Sequence, residues 1–175
     1  MTPSTLMDRL QEYLQEATKE VFLGPHRLAP NIYKVDLPPR ATPDYDPGLP
    51  SLPMTDIPPS TADTTLPEER DERWPFIIIT YVDSEDNEDG YRTATMDFVF
   101  GCEGSGPDGY MDVLHLMEHV RALFLRETWD GWPCGLSLPL NTGFYDEQAD
   151  PFWMGYMSTN WDLPSMDKEA WKHGY

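Results

Sequence analysis

Apolar residues recur at helical spacing over residues 4 to 23, where Leu6, Leu10, Tyr13, Leu14, Ala17 and Val21 share one side, with Ser4 as the N-cap and Gly24-Pro25 as the stop. The pattern then lapses. Ten of the 18 prolines fall between Pro38 and Pro75, mixed with Asp, Ser and Thr, so residues 36 to 73 offer few backbone donors and little apolar surface and read as a long extended arm. From Trp74 the periodicity changes to that of strands. Phe76-Ile77-Ile78-Ile79-Thr80-Tyr81-Val82 is a buried run of β-branched and aromatic residues, and Ala94, Met96, Phe98 and Phe100 alternate with Thr93, Thr95 and Asp97. The two predict a hairpin closed near Asp89-Gly90. Residues 109 to 127 return to helical spacing, with Val113, Leu116, Met117, Val120, Leu123 and Phe124 on one arc that should lie on the sheet. Leu136, Leu138 and Leu140 alternate as a third strand, and Phe152 to Trp161 forms a fourth.

This order predicts an α+β fold: a mainly antiparallel sheet of four or more strands, two helices packed on one face, and a Pro-rich loop or arm. The whole chain, 1–175, is expected to be a single domain with a helix and lead-in at 1–35, the arm at 36–73, the core sheet and second helix at 74–164, and a tail at 165–175.

Charge narrows the choice of partners. Twelve Lys plus Arg against 31 Asp plus Glu give a formal charge of -19, which repels phosphate backbones, so direct grip on nucleic acid is not expected. Cys102 and Cys134 are too few for a disulfide framework or a thiolate zinc site and fit reduced thiols in a cytoplasm. The N-terminus lacks a basic region followed by an apolar run, and the longest aliphatic stretch is Ile77-Ile78-Ile79, so neither an export signal nor a membrane span is expected.

Three stretches invite chemistry. His115-Leu116-Met117-Glu118-His119 matches the H-x-x-E-H pattern, in which two histidines one helical turn apart hold a metal and the Glu polarises water, the signature of a metal-dependent hydrolase. Here both histidines fall opposite the Val113/Val120/Phe124 arc, and no long downstream helix could supply a third ligand, so no metal or cofactor is expected and the pair is read as a polar helix face available to an interface. Asp83 to Gly90 is acidic enough for calcium, but placing Gly90 at the sixth loop position puts Met96 where a bidentate Glu is required, so a solvated hairpin turn is expected. Gly101 to Gly106 is glycine-rich before a helix, yet Pro107 and Asp108 follow without a nearby Lys, which argues against a phosphate cradle. The remaining signal is aromatic. Alternation puts Trp153 and Trp161 on one face of the last strand and Phe152 and Tyr156 on the other, more bulk than one buried face needs.

Trp74-Pro75-Phe76-Ile77-Ile78, the acidic Asp-Gly turn, the Thr-rich second strand, Gly109-Tyr110-Met111-Asp112-Val113-Leu114, and above all Asp146-Glu147-Gln148 through Pro164 carry a resemblance. Over roughly residues 74 to 164 the chain resembles the tail terminator, or tail-completion, proteins of long-tailed bacteriophages. The resemblance implies a structural virion protein with no catalysis, located at the head-proximal end of the tail and assembled in the host cytoplasm. It further implies a hexameric ring that ends polymerisation of the tail tube, contacts the major tube protein and the head-side connector, and lets DNA pass through its lumen without binding it. The interface candidates are Gln148, Phe152, Trp153, Tyr156, Trp161, His115 and His119. The alternatives are the hydrolase built on His115, Glu118 and His119, and an acidic adaptor or inhibitor that uses the Pro-rich arm as a ligand.

Overall fold

A computed structural model describes residues 1–40, 71–86, 92–127, 129, 131–132 and 134–164. Helix α1 spans Pro3–Ala17, and its N-cap is Thr2 rather than the expected Ser4: the Thr5 amide donates to Thr2 Oγ1 at 3.3 Å, and Pro3 fills the first turn, where a missing N–H leaves nothing unpaired. The helix stops short of residue 23. At Thr18 the backbone amide and the hydroxyl both converge on the Leu14 carbonyl, at 2.9 and 2.7 Å, and the chain then turns so that Leu23 and Leu28 exchange backbone hydrogen bonds. Gly24 sits in that turn at φ +69°, a left-handed conformation that other residues adopt only at a cost.

Among the described residues five strands form one sheet, one more than the sequence pattern shows: β1 (Asn31–Lys34), β2 (Phe76–Asp86), β3 (Arg92–Glu103), β4 (Gly135–Phe144) and β5 (Phe152–Leu163), in the order β1-β2-β3-β5-β4. The extra strand, β1, runs parallel to β2 with Asn31 opposite Phe76; all other pairings are antiparallel. At four residues, with Ile32 alone buried, β1 is too short to display alternation. The pair β2–β3 is the expected hairpin, with a register shift between Tyr81 and Asp83; its tip near Asp89-Gly90, residues 87 to 91, lies outside the described residues. The expected alternation of Leu136, Leu138 and Leu140 breaks down in β4. Pairing with β5 slips between Ser137 and Asn141, Pro139 has no N–H to give the ladder, and Leu138 is 70% exposed.

Helix α2 (Gly106–Arg126) crosses the same face of the sheet as α1. Leu6, Leu10 and Leu14 of α1 meet Ile32, Ile77 and Ile79, while Val113, Leu116, Val120 and Phe124 of α2 cover Phe98, Met157 and Trp161. The result is one apolar core between two helices and one sheet face, an α+β fold with a mostly antiparallel sheet. Close approach matters at the start of α2, where a Cβ on Gly109 would run into the Gly104 carbonyl and the Trp153 ring.

Of the Pro-rich arm, residues 41 to 70 lie outside the described residues, but both ends are placed. They meet. Arg73 donates to the Pro38 carbonyl at 3.0 Å, Arg40 reaches Asp71 at 3.2 Å, and Asp71 takes a two-pronged contact from Arg73 Nε and Nη2 at 2.8 and 2.7 Å. The Asn31 side chain donates to the Glu72 carbonyl at 3.1 Å, tying this junction to β1.

Candidate functional site

Neither helix covers the second face of the sheet. Along β3 the inward residues Ala94, Met96, Phe98, Phe100 and Cys102 are buried, so Thr93, Thr95, Asp97 and Val99 point the other way, opposite Asp162, Asn160, Ser158 and Tyr156 of β5. The open face divides into two halves. Toward one end it is polar, and cross-strand pairs satisfy each other: Thr93 Oγ1 donates to Asp162 Oδ1 at 3.3 Å, Thr95 Oγ1 lies 3.2 Å from Asn160 Oδ1, and Ser137 bonds the other Asp162 oxygen. Toward the other end it is aromatic. Trp74 packs on Phe76 and Phe152 with ring centroids 4.6 and 5.0 Å apart, and Tyr145 packs on Tyr156 at 5.5 Å. Tyr156 lies across Gly143, whose missing side chain leaves room for the phenol. Phe152 is 37% and Tyr156 38% exposed, a large share for rings of this size on the same face of one strand, with Met154 between them.

Asp97 sits where the two halves meet. By register it lies between Thr80 of β2 and Ser158 of β5, one outward position before Val99 and its partner Tyr156. Its Oδ1 is buried and has no hydrogen-bond partner among the described residues. Burial raises the Tyr145 phenol above its ordinary pKa, and the Asp97 charge adds to that, as does Tyr156.

The interface candidates thus occupy different places. Phe152 and Tyr156 are on the open face. Trp161 is fully buried, because its position alternates onto the helix side: it packs edge-on to Phe124 and Trp129 at 5.7 and 4.8 Å, and its Nε1 donates to Thr159 Oγ1 at 2.8 Å. It is a core residue and offers no surface. Trp153 is half-buried on the same side, donating to the Gly104 carbonyl at 2.8 Å and meeting Tyr110 edge-on at 5.9 Å, so it fixes the entry of α2. Gln148 acts within the chain: its amide grips both backbone groups of Met154, donating to the carbonyl and accepting from the N–H at 2.8 Å each, and it also donates to the Tyr145 carbonyl at 2.8 Å. The acidic turn that carries Gln148 has a second internal role, since Asp150 Oδ1 accepts the Gly106 amide at 2.7 Å, placing a carboxylate at the positive end of α2.

His115 is exposed on α2, whereas His119 is half-buried with Nε2 3.4 Å from the Ala17 carbonyl at the end of α1. Glu118 lies 3.4 Å from Arg121 on the outer face of the helix. Among the described residues, no three of His, Cys, Asp and Glu gather at a position that could hold a metal ion. Both cysteines are buried and free; burial, with the Asp112 and Glu103 charges adding to it, pushes the Cys102 thiol up to about 12, so it stays protonated at neutral pH. No helix of the described residues is long and apolar enough to cross a membrane.

Asp97 and Tyr145 escape a reading of single strands. Asp97 looks like any polar residue of an alternating strand until three strands are in register. A scan against protein-family models finds no match, and a search among curated proteins finds none either.

Proposed function

We propose that the chain is a structural subunit of a phage tail terminator ring, ending growth of the tail tube and presenting a surface to the head-side connector. The observation that carries this reading is the aromatic half of the open face, where Phe152 and Tyr156 stand exposed beside Trp74 and Tyr145 on a sheet face that neither helix packs against. A ring subunit must present two different surfaces, one to each neighbour, and exposed aromatic side chains dominate the energetics of such contacts. The resemblance of residues 74 to 164 to tail-completion proteins supports the same reading, as does the excess of negative charge, which suits a lumen through which DNA must slide. A hexameric ring, a tube protein on one side and a connector on the other follow from the proposal, as does a place at the head-proximal end of the tail. Deleting the gene from the phage or prophage that carries it and viewing lysates by electron microscopy tests it. Overlong or headless tails are expected; tails of normal length joined to heads would overturn it.

A further inference from the structure

Among the described residues, the one buried side-chain oxygen or nitrogen without a hydrogen-bond partner lies on the open face of the sheet. Successive outward pairs of β3 and β5 are Thr93 with Asp162, Thr95 with Asn160 and Asp97 with Ser158; the first two are bonded, and the third leaves Asp97 Oδ1 buried with no partner among the described residues. Oδ1 itself has no accessible surface, so a donor from outside reaches it only when the half-buried Asp97 side chain turns outward; a carboxylate oxygen without a donor is unstable relative to one that has been given a donor, and a charged donor satisfies it best. Beside it, Tyr156 and Tyr145 form a tilted pair at 5.5 Å, each about two-fifths exposed to solvent, and Thr80 and Ser158 flank it with hydroxyls. Carboxylate, aromatic faces and hydroxyls together suit a guanidinium, which is planar, stacks on rings and donates several hydrogen bonds at once, better than they suit an ammonium.

We propose that Asp97, Tyr145 and Tyr156 form a receptor site for an arginine side chain of a partner protein docking on the open face of the sheet. The charge balance favours such a partner: with 31 acidic residues against 12 basic ones, this chain attracts basic surfaces and repels acidic ones. The inference stands whether or not the partner belongs to a phage tail.

The test uses N-acetyl-arginine methylamide as probe, with the isosteric but uncharged citrulline compound as control. Each is titrated to about 0.1 M, a range that reaches millimolar dissociation constants, into the full chain carrying isotope-labelled tyrosine, with resonances assigned through Tyr145→Phe and Tyr156→Phe. Saturable shifts confined to Tyr145 and Tyr156 are expected with the arginine compound, absent with the citrulline compound, and lost in Asp97→Asn. That variant keeps the shape of the side chain, and its unchanged spectrum elsewhere reports that the fold is retained. Absence of a saturable shift overturns the proposal. So does an equal response to citrulline, which would make the site one for neutral donors such as water or a sugar hydroxyl, or an undiminished response in Asp97→Asn.

Discussion

The two faces of the sheet are built from alternate residues of the same strands, yet they are put to different uses. On the covered face Phe98, Phe100, Met157 and Trp161 are shut between sheet and helices, and every aromatic ring has another ring or an aliphatic side chain against it. On the open face Phe152 packs on Trp74 and Tyr156 on Tyr145, yet both rings keep more than a third of their surface exposed, and among the described residues a carboxylate oxygen of Asp97 goes unpaired beside a ladder of satisfied polar pairs. The lesson is that aromatic residues in one strand carry different information according to parity. Those facing the helices fix stability, and those facing away are free to determine what the molecule meets.

That contrast can be broken by measuring stability on the two sides. Trp161→Ala is expected to cost about 3–5 kcal/mol, the range for truncating a buried aromatic side chain, whereas Tyr156→Ala should cost less than about 1 kcal/mol because its ring is 38% exposed. Urea midpoints of the two variants decide it, and equal losses would show that the open face is part of the fold's own packing. Gly109→Ala probes the covered side at the entry of α2. A methyl group there meets the Gly104 carbonyl and the Trp153 ring, so a loss of about 1–3 kcal/mol is expected by thermal unfolding.

Asp71, which ties the arm's two ends together, should come next, at about 1–3 kcal/mol for Asp71→Asn. The Arg73 guanidinium, followed by the Arg73 amide and Arg40, holds the folded carboxyl well below the usual carboxylate range, although burial opposes the shift. Because the folded pKa is depressed, the unfolded chain takes up the proton first. The stabilisation is therefore complete above the ordinary pKa near 4 and is lost as the pH falls below it, toward the folded value. In pH-dependent unfolding, Asp71→Asn should shallow the acid-side decline; an unchanged slope would show that the contact contributes nothing. The smallest effect is expected from replacing residues 41 to 70 by a short Gly/Ser linker. Their ends already meet and loop closure depends weakly on length, so the thermal midpoint should hardly move, while loss of cooperative unfolding would assign these residues to the core.

Much of this was legible from periodicity. The arc of α2 and the alternation of β3 announce their buried sides because each has many residues to average over. Parity on β5 likewise separates Trp153 and Trp161 from Phe152 and Tyr156, but which set faces the helices depends on packing across the sheet, and so Trp161 could be read as a surface residue. Strand β1 has a single buried position and no period to detect. The exposure of Leu138 follows from a slip beside Pro139, which apolar alternation conceals. By sequence Gln148 reads as an interface residue, yet its amide is consumed by Met154, a contact visible only once the turn is folded. Asp97 needed three strands in register before its missing partner could be noticed.

The most direct test of the proposed use of the open face as an assembly surface is a Phe152→Ala, Tyr156→Ala double variant introduced into the genome that encodes the chain, with folding of the purified protein checked by circular dichroism and its thermal midpoint. Electron microscopy of the lysate then measures tail length and head attachment. A folded variant that gives overlong or headless tails is the expected result; a folded variant that gives tails of normal length joined to heads would contradict the account.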